Sequence, residues 1–274
     1  MSGYAIGSGP RRIVCLTEEP TEILYLLGEG DRVVGISAYT VRPPEARREK
    51  PVVSAFVGGS VERIRALEPD LVIGFSDVQA GLARDLIAAN LPVVIFNQRS
   101  IQEILDVIVA IGALVGRRDA AFELASGYAA KLERARARAA HRRQRPRVYF
   151  EEWDEPMICG IHWVSELIEA AGGIDVFAER ARGKGARERR VTVEEVAARG
   201  PDVILASWCG KAVDRDAIER RPGFASVPAV RSGRIHEIPS EIILQPGPAC
   251  LTDGLDRLEE VLAAEAGEPE RARR

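Results

Sequence analysis

The chain alternates between two hydrophobic rhythms. Short unbroken apolar runs at Arg12–Leu16, Val33–Ser37, Val52–Ser54, Leu71–Phe75 and Val93–Phe96 read as strands buried on both faces. Between them apolar positions recur every three or four residues, the period of a helix face, over Thr21–Leu27, Val61–Leu67, Gln79–Ala89 and Ile101–Val115. Strands alternating with helices in this way predict a parallel sheet covered on both sides. The scheme then repeats, with strands at Arg147–Phe150, Asp202–Ala206 and Ile235–Ile238 and helices at Val164–Ala171, Val193–Arg199 and Thr252–Ala264. The connecting segments predict a polar loop at Tyr39–Pro51, a turn at Glu151–Gly160 and a mobile charged loop at Ile174–Arg190. The tail from Gly267 is expected to be disordered.

Between the two blocks lies an Ala-rich stretch from about Arg118 to Arg143, with Asp119 to cap its start and Pro146 to stop it. Ala121, Leu124, Ala125, Tyr128, Leu132 and Ala135 form one apolar stripe. A helix of ~24 residues and ~36 Å follows from the rise per residue. The blocks also resemble each other. Ser60-Val-Glu-Arg-Ile-Arg-Ala-Leu-Glu-Pro-Asp-Leu-Val-Ile matches Thr192-Val-Glu-Glu-Val-Ala-Ala-Arg-Gly-Pro-Asp-Val-Ile-Leu by residue class, and Thr21-Glu-Ile-Leu matches Ser165-Glu-Leu-Ile. The expected fold class is therefore α/β, with two Rossmann-like lobes of parallel sheet joined by a single long interdomain helix. The expected boundaries are residues 1–117, 118–144 and 145–274, with the lobes facing each other across a cleft.

Composition narrows the function. A net charge of −3 argues neither for nor against an anionic partner, and nucleic acid usually wants a basic face. The Arg134, Arg136, Arg138, Arg142, Arg143, Arg145, Arg147 run sits where cations complement a helix terminus and stay solvated. No apolar run approaches a membrane span. The start MSGYAIGSGPRR lacks a signal-peptide core, so the chain as written is expected to be cytoplasmic, or periplasmic or cell-surface if a leader has been removed. Four scattered cysteines without a CxxC pair predict buried thiols rather than a zinc site. No nucleophile–base motif or phosphate loop is present, so no enzyme is proposed.

Aromatic residues make up 5% of the chain, yet Tyr39, Phe56, Phe75, Trp153, Trp163 and Trp208 all fall at or next to loops that follow strands. Ligands of open α/β sheets sit beyond the carboxyl ends of strands, so these six are candidate ligand contacts. Broad aromatic surface with few charges suits a flat macrocycle. Glu241 and Gln245, with Glu152 and Glu155 beside Trp153, can hydrogen-bond the rim of such a ring. His162, flanked by Gly160 and Trp163, is a candidate axial ligand to a metal held in the ring.

The pattern strand, Thr-Glu-Ile-Leu, Leu-Gly, Asp-Arg-Val-Val-Gly, then Ser-Val-Glu-Arg-Ile…Pro-Asp-Leu-Val-Ile resembles the ABC-importer substrate-binding proteins for cobalamin, haem and ferric siderophores. Tyr39 before a Pro-Pro pair, Glu151-Glu-Trp-Asp-Glu-Pro156, Gly160-Ile-His-Trp163 and Gln245-Pro-Gly-Pro248 are most similar to its cobalamin-binding (BtuF-like) group. The resemblance implies a monomer with no intrinsic cofactor that captures cobalamin or a related corrinoid and delivers it to an importer permease. It implies that Glu62 and Glu194, equivalent in the two halves, dock on that permease. A helix-terminus role is the competing reading for both glutamates. Haem or a ferric siderophore is the alternative ligand. A cytoplasmic metallocofactor-processing enzyme or chaperone, with Cys159, Cys209 and His162 converging, is the alternative of another class.

Overall fold

The computed structural model describes residues 9–267. The chain divides into two compact units. One comprises the chain up to Gln98 with Gln102–Gly127, the other Arg99–Ile101 with the chain from Tyr128 onward.

In the first unit the elements run β1 (Ile13–Cys15), α1 (Glu18–Leu26), β2 (Val33–Ser37), α2 (Pro44–Glu49), β3 (Val52–Ser54), α3 (Val61–Ala66), β4 (Leu71–Phe75), α4 (Ala80–Ala88), β5 (Val93–Phe96), α5 (Ile101–Leu114) and α6 (Arg118–Ala140). The sheet has the order β3-β2-β1-β4-β5 and every pairing is parallel. Its central strand β1 is completely buried, as a strand covered on both faces must be. All five strands end on the same edge, so the loops after them share that edge. The expected polar loop at Tyr39–Pro51 contains α2. Pro44 opens that helix, where its missing N–H costs nothing.

Helix α6 is a single helix of 23 residues that begins in the first unit and ends in the second. Of the expected stripe, Ala121, Ala125, Leu132 and Ala135 are buried, while Leu124 and Tyr128 are half-buried. Gly112 on α5 allows the close approach of α6, because a Cβ there would lie 2.2 Å from the Ala121 Cβ. The arginine run at the end of α6 is mostly exposed, as expected, and three of its members also reach partners in the second unit. Arg138 forks onto Glu259 at 2.9 and 2.7 Å, Arg142 donates to the Ala171 carbonyl, and Arg145 donates to the Gly173 carbonyl at 2.6 Å.

The second unit continues with β6 (Arg147–Asp154), β7 (Met157–Cys159), α7 (His162–Ala170), β8 (Ile174–Asp175), α8 (Ala178–Ala181), α9 (Val193–Arg199), β9 (Val203–Ala206), α10 (Arg215–Glu219), α11 (Pro228–Arg231), β10 (Ile235–Glu237), α12 (Ser240–Ile243) and α13 (Leu255–Glu265). A π-helical turn at Cys250–Gly254 leads into α13. The sheet order is β10-β9-β6-β7, with β8 also on β6. All pairings are parallel except β6–β7. The expected turn at Glu151–Gly160 is thus an antiparallel hairpin: β6 runs on to Asp154 and folds back on itself. The expected mobile loop at Ile174–Arg190 holds β8 and α8. It ends on Arg189, which is buried against Glu152 and the Cys159 carbonyl. The tail beyond Gly267 lies outside the described residues.

The two sheets share a plan. β1, β2, β4 and β5 have the neighbours in one sheet that β6, β8, β9 and β10 have in the other. At the amino ends of the strands the same clip recurs. Arg11 and Arg12 N–H groups donate to the Asp70 carboxylate at 2.8 Å each, and the Arg12 guanidinium donates to the Leu67 carbonyl at 2.6 Å. In the second unit the Arg147 N–H donates to Asp202 at 2.9 Å and its guanidinium to the Arg199 carbonyl at 2.7 Å. Each helix before a clip begins on a hydroxyl cap, Ser60 or Thr192.

Candidate ligand-binding site

On the first unit the loops at the carboxyl edge of the sheet expose apolar side chains. Tyr39 is 40% exposed, Val41 50%, Val57 65% and Val78 46%, and Phe56 is half-buried. Exposed apolar groups gathered on one edge mark a binding surface. Gln79 holds these loops together. It is fully buried. Its Oε1 accepts the Phe75 N–H at 3.1 Å, and its Nε2 donates to the Phe56 carbonyl at 2.9 Å and the Leu16 carbonyl at 3.4 Å. One carboxamide thus ties the ends of β1 and β4 to the loop after β3. Gly74 makes room for it, since a Cβ there would lie 2.4 Å from Gln79 Oε1. The next residue, Ser76, has φ 73 and ψ 159, a conformation that non-glycine residues rarely adopt and that clusters at functional sites. Phe75 itself is only 4% exposed and packs beneath this surface.

A second feature of this edge is the start of α1. Glu19 is 2% exposed. Its Oε1 accepts the Thr17 hydroxyl at 2.8 Å, and its Oε2 has no hydrogen-bond partner. Burial, only partly offset by hydrogen bonds from its own N–H and Thr17, pushes its carboxyl up to about 7. Glu22 pairs with Arg42 at 2.8 Å.

On the second unit the corresponding edge is aromatic and ion-paired. Trp153 stands in the β6–β7 hairpin, half-buried, with its indole N–H on the Glu155 carbonyl at 3.0 Å. Trp208 follows β9 and is 3% exposed. Lys211 lies against both: its ammonium is 4.4 Å from the Trp153 ring centroid and 4.6 Å from that of Trp208. Both oxygens of Asp154 accept from the same ammonium at 2.8 Å. Burial acts to raise the Asp154 carboxyl, but Lys211 and nearby backbone donors outweigh it and hold the group below the ordinary range. Beneath this layer Glu151, fully buried within β6, accepts a fork from Arg221 at 2.5 and 3.0 Å and the Tyr149 hydroxyl at 3.2 Å.

The model of a family described as "Periplasmic binding protein" matches residues 13–242, across both units. The chain belongs to this family. A curated relative, the uncharacterized ABC transporter substrate-binding lipoprotein YvrC of Bacillus subtilis, is 26% identical over 260 residues, 92% of this chain and 79% of that protein. The vitamin B12-binding protein of Vibrio parahaemolyticus is 27% identical over 247 residues, 88% of this chain and 85% of that protein. Among solved structures, the periplasmic heme-binding protein RhuT of Roseiflexus in apo form superposes with a TM-score of 0.76 at 28% identity, covering 93% of this chain and 100% of that one. The chain is thus an ABC transporter substrate-binding protein and not an enzyme.

Within this periplasmic binding protein the remaining candidates are distributed as follows. Trp163 is 3% exposed, and its indole N–H donates to the Ile243 carbonyl at 3.0 Å. It therefore braces the segment that carries Glu241 and Gln245, both half-buried after β10. Glu152 is held by Arg189. His162 opens α7 and lines an open cavity of about 420 Å³ with Arg136, Glu166, Glu169 and Arg182, a different group from Trp153 and Trp208. Another open cavity, of about 430 Å³, is apolar and runs along α4 past Ala80, Ala83 and Ile87 to Ile95. Among the described residues no three His, Cys, Asp or Glu side chains converge to hold a metal, so the expected alternative of Cys159, Cys209 and His162 meeting is not realised. Cys159 is buried and its thiol is pushed up to about 12, chiefly by burial.

Glu62 and Glu194 are both exposed in the first turn of their helices, α3 and α9. Glu62 accepts the Ser60 hydroxyl at 3.1 Å. Its own backbone N–H and the Thr192 hydroxyl hold Glu194 below the ordinary carboxylate range. Sequence reasoning did not single out Gln79, Lys211 or Asp154. Gln79 carries a faint signal, four residues past a strand end. Lys211 and Asp154 are 57 residues apart and carry none.

Proposed function

We propose that this substrate-binding protein captures a neutral, amide-rimmed corrinoid such as cobalamin on its strand-end surfaces and delivers it to an ABC importer permease outside the cytoplasm. Tyr39 and Phe56 of the first unit and Trp153 of the second contact the ring. Phe75, Trp163 and Trp208 back those contacts, and Glu241 and Gln245 meet the amide rim. Glu62 and Glu194 face the permease.

One observation carries the choice of ligand. The surface offers exposed apolar area, while the two cations described at it, Arg42 and Lys211, are paired with Glu22 and Asp154, and Arg189 and Arg221 below it are paired with Glu152 and Glu151. A haem brings two propionates and a ferric siderophore is usually anionic. Either ligand needs cations that are not already balanced. A corrinoid with a ring of neutral amides does not. The vitamin B12-binding relative supports the same reading.

Calorimetric titration with cyanocobalamin and haem, side by side, tests it. Heat is expected from cyanocobalamin, with haem binding more weakly. Truncating Trp153 to Ala is expected to weaken corrinoid binding about tenfold, the scale of one aromatic contact. No heat from cyanocobalamin overturns the assignment.

A further inference from the structure

The charge arrangement around Trp153 and Trp208 carries a further inference, which rests on the corrinoid reading only for its last readout. The ammonium of Lys211 sits against two indole rings, each within the distance at which a ring face attracts a cation. Two tryptophans and a carboxylate around an ammonium form an aromatic cage, and here the cage is filled by the protein's own side chain. The Lys211 side chain remains 41% exposed and that of Asp154 26%. The pair therefore belongs to the surface and not to the core, and whatever approaches Trp153 meets it. Asp154 presents both of its oxygens to the one ammonium. The net charge of the cluster is zero.

We propose that Asp154 is the specificity-determining residue of this surface: by cancelling the Lys211 charge beside Trp153 it keeps the aromatic face from attracting anions. Lys211 supplies the cation that bridges the indoles. Asp154 supplies no packing of that kind. Its effect is to make a face that holds a lysine read as neutral. Removing the carboxylate leaves the ammonium against the rings with its charge uncompensated, and the same surface then favours an anion.

The chain has three tryptophans, and Trp163 and Trp208 are each only 3% exposed, so quencher-accessible emission reports Trp153. The test is iodide quenching of the full-length protein against quenching by neutral acrylamide. It is run below about 0.1 M ionic strength, where the screening length is about 10 Å or more. In Asp154→Asn the iodide constant is expected to rise about two- to fivefold, the scale of one exposed charge interaction. Acrylamide quenching stays as in the wild type. The double variant Asp154→Asn/Lys211→Met is expected to return iodide quenching to the wild-type level. Lys211→Met alone exposes the carboxylate and is expected to lower iodide and raise caesium quenching, which decides the matter should Asp154→Asn not fold. An iodide-to-acrylamide ratio that is the same in wild type and Asp154→Asn overturns the proposal, as does a rise that persists in the double variant. The ratio of haem to cyanocobalamin affinity is expected to move the same way in Asp154→Asn. Should the wild type bind neither macrocycle, the corrinoid assignment fails while the iodide result still decides the role of Asp154.

Discussion

The amino ends and the carboxyl ends of the two sheets differ in how far the two units agree. At the amino ends the units are nearly interchangeable: a hydroxyl-capped helix, then a Pro-Asp whose aspartate accepts the N–H of an arginine opening the central strand. At the carboxyl ends they diverge. The first unit shows bare apolar side chains over loops tied by a buried carboxamide, Gln79. The second shows tryptophans, a caged lysine and a buried Glu151–Arg221 pair. The amino-end clip is a backbone requirement, because strand N–H groups at the sheet margin need an acceptor in either unit. The carboxyl edge has no such requirement, so it is free to differ with the ligand it meets.

The comparison breaks most readily at the Glu151–Arg221 pair. Arg221→Ala leaves a fully buried carboxylate with only the Tyr149 hydroxyl, and a loss of about 3–5 kcal/mol is expected. Denaturant unfolding followed by tryptophan emission measures it, since Trp153, Trp163 and Trp208 all lie in the second unit. A loss below ~1 kcal/mol shows the pair to be ornamental.

The first unit has a counterpart at Glu19. Its folded carboxyl titrates at about 7 against an ordinary 4.5, so the native state holds the proton more tightly than the unfolded chain. Its contribution is fully present below pH 4.5 and is lost as pH rises through 7. Glu19→Gln is expected to remove that decline and to stabilise the protein at pH 8 by about 3 kcal/mol, at 1.4 kcal/mol per pH unit between the two values. Thermal melts of both proteins from pH 4 to 8 check this, and parallel curves exclude it.

The smallest effect sharpens the other half of the comparison. Asp202→Ala removes the acceptor of one N–H at a partly solvated site, at a cost of about 1 kcal/mol, and Asp70→Ala removes the acceptor of two, at a cost of about 1–2 kcal/mol. Denaturant unfolding of both variants checks the order. A larger loss in Asp202→Ala shows that the clips are alike in geometry only.

Much of this is legible in the sequence. The runs Val33–Ser37, Val52–Ser54, Leu71–Phe75 and Val93–Phe96 are strands with the bounds the apolar pattern predicts, and α9 spans Val193–Arg199 as the helical period predicts. The match between the Ser60 and Thr192 segments reappears as the same hydroxyl cap and the same aspartate–arginine clip. Other features were not legible. Glu-Glu-Trp-Asp lacks the alternation of a surface strand, so the sequence predicts a turn where β6 and β7 pair. Charge dominates Ile174–Arg190 and predicts mobility, yet the charge of Arg189 is satisfied inside the unit by Glu152.

What the chain determined alone is the order of strands and helices, their caps and the doubling of the unit, because hydrophobic period, capping hydroxyls and turn residues act over a few neighbouring positions. What the tertiary structure decided is which side chains share a surface. Lys211 meets Trp153, Asp154 and Trp208, Arg221 finds Glu151 across 70 residues, and Gln79 reaches Leu16 across 63. Those partnerships depend on which strand ends become neighbours, and sheet order is a property of the folded chain.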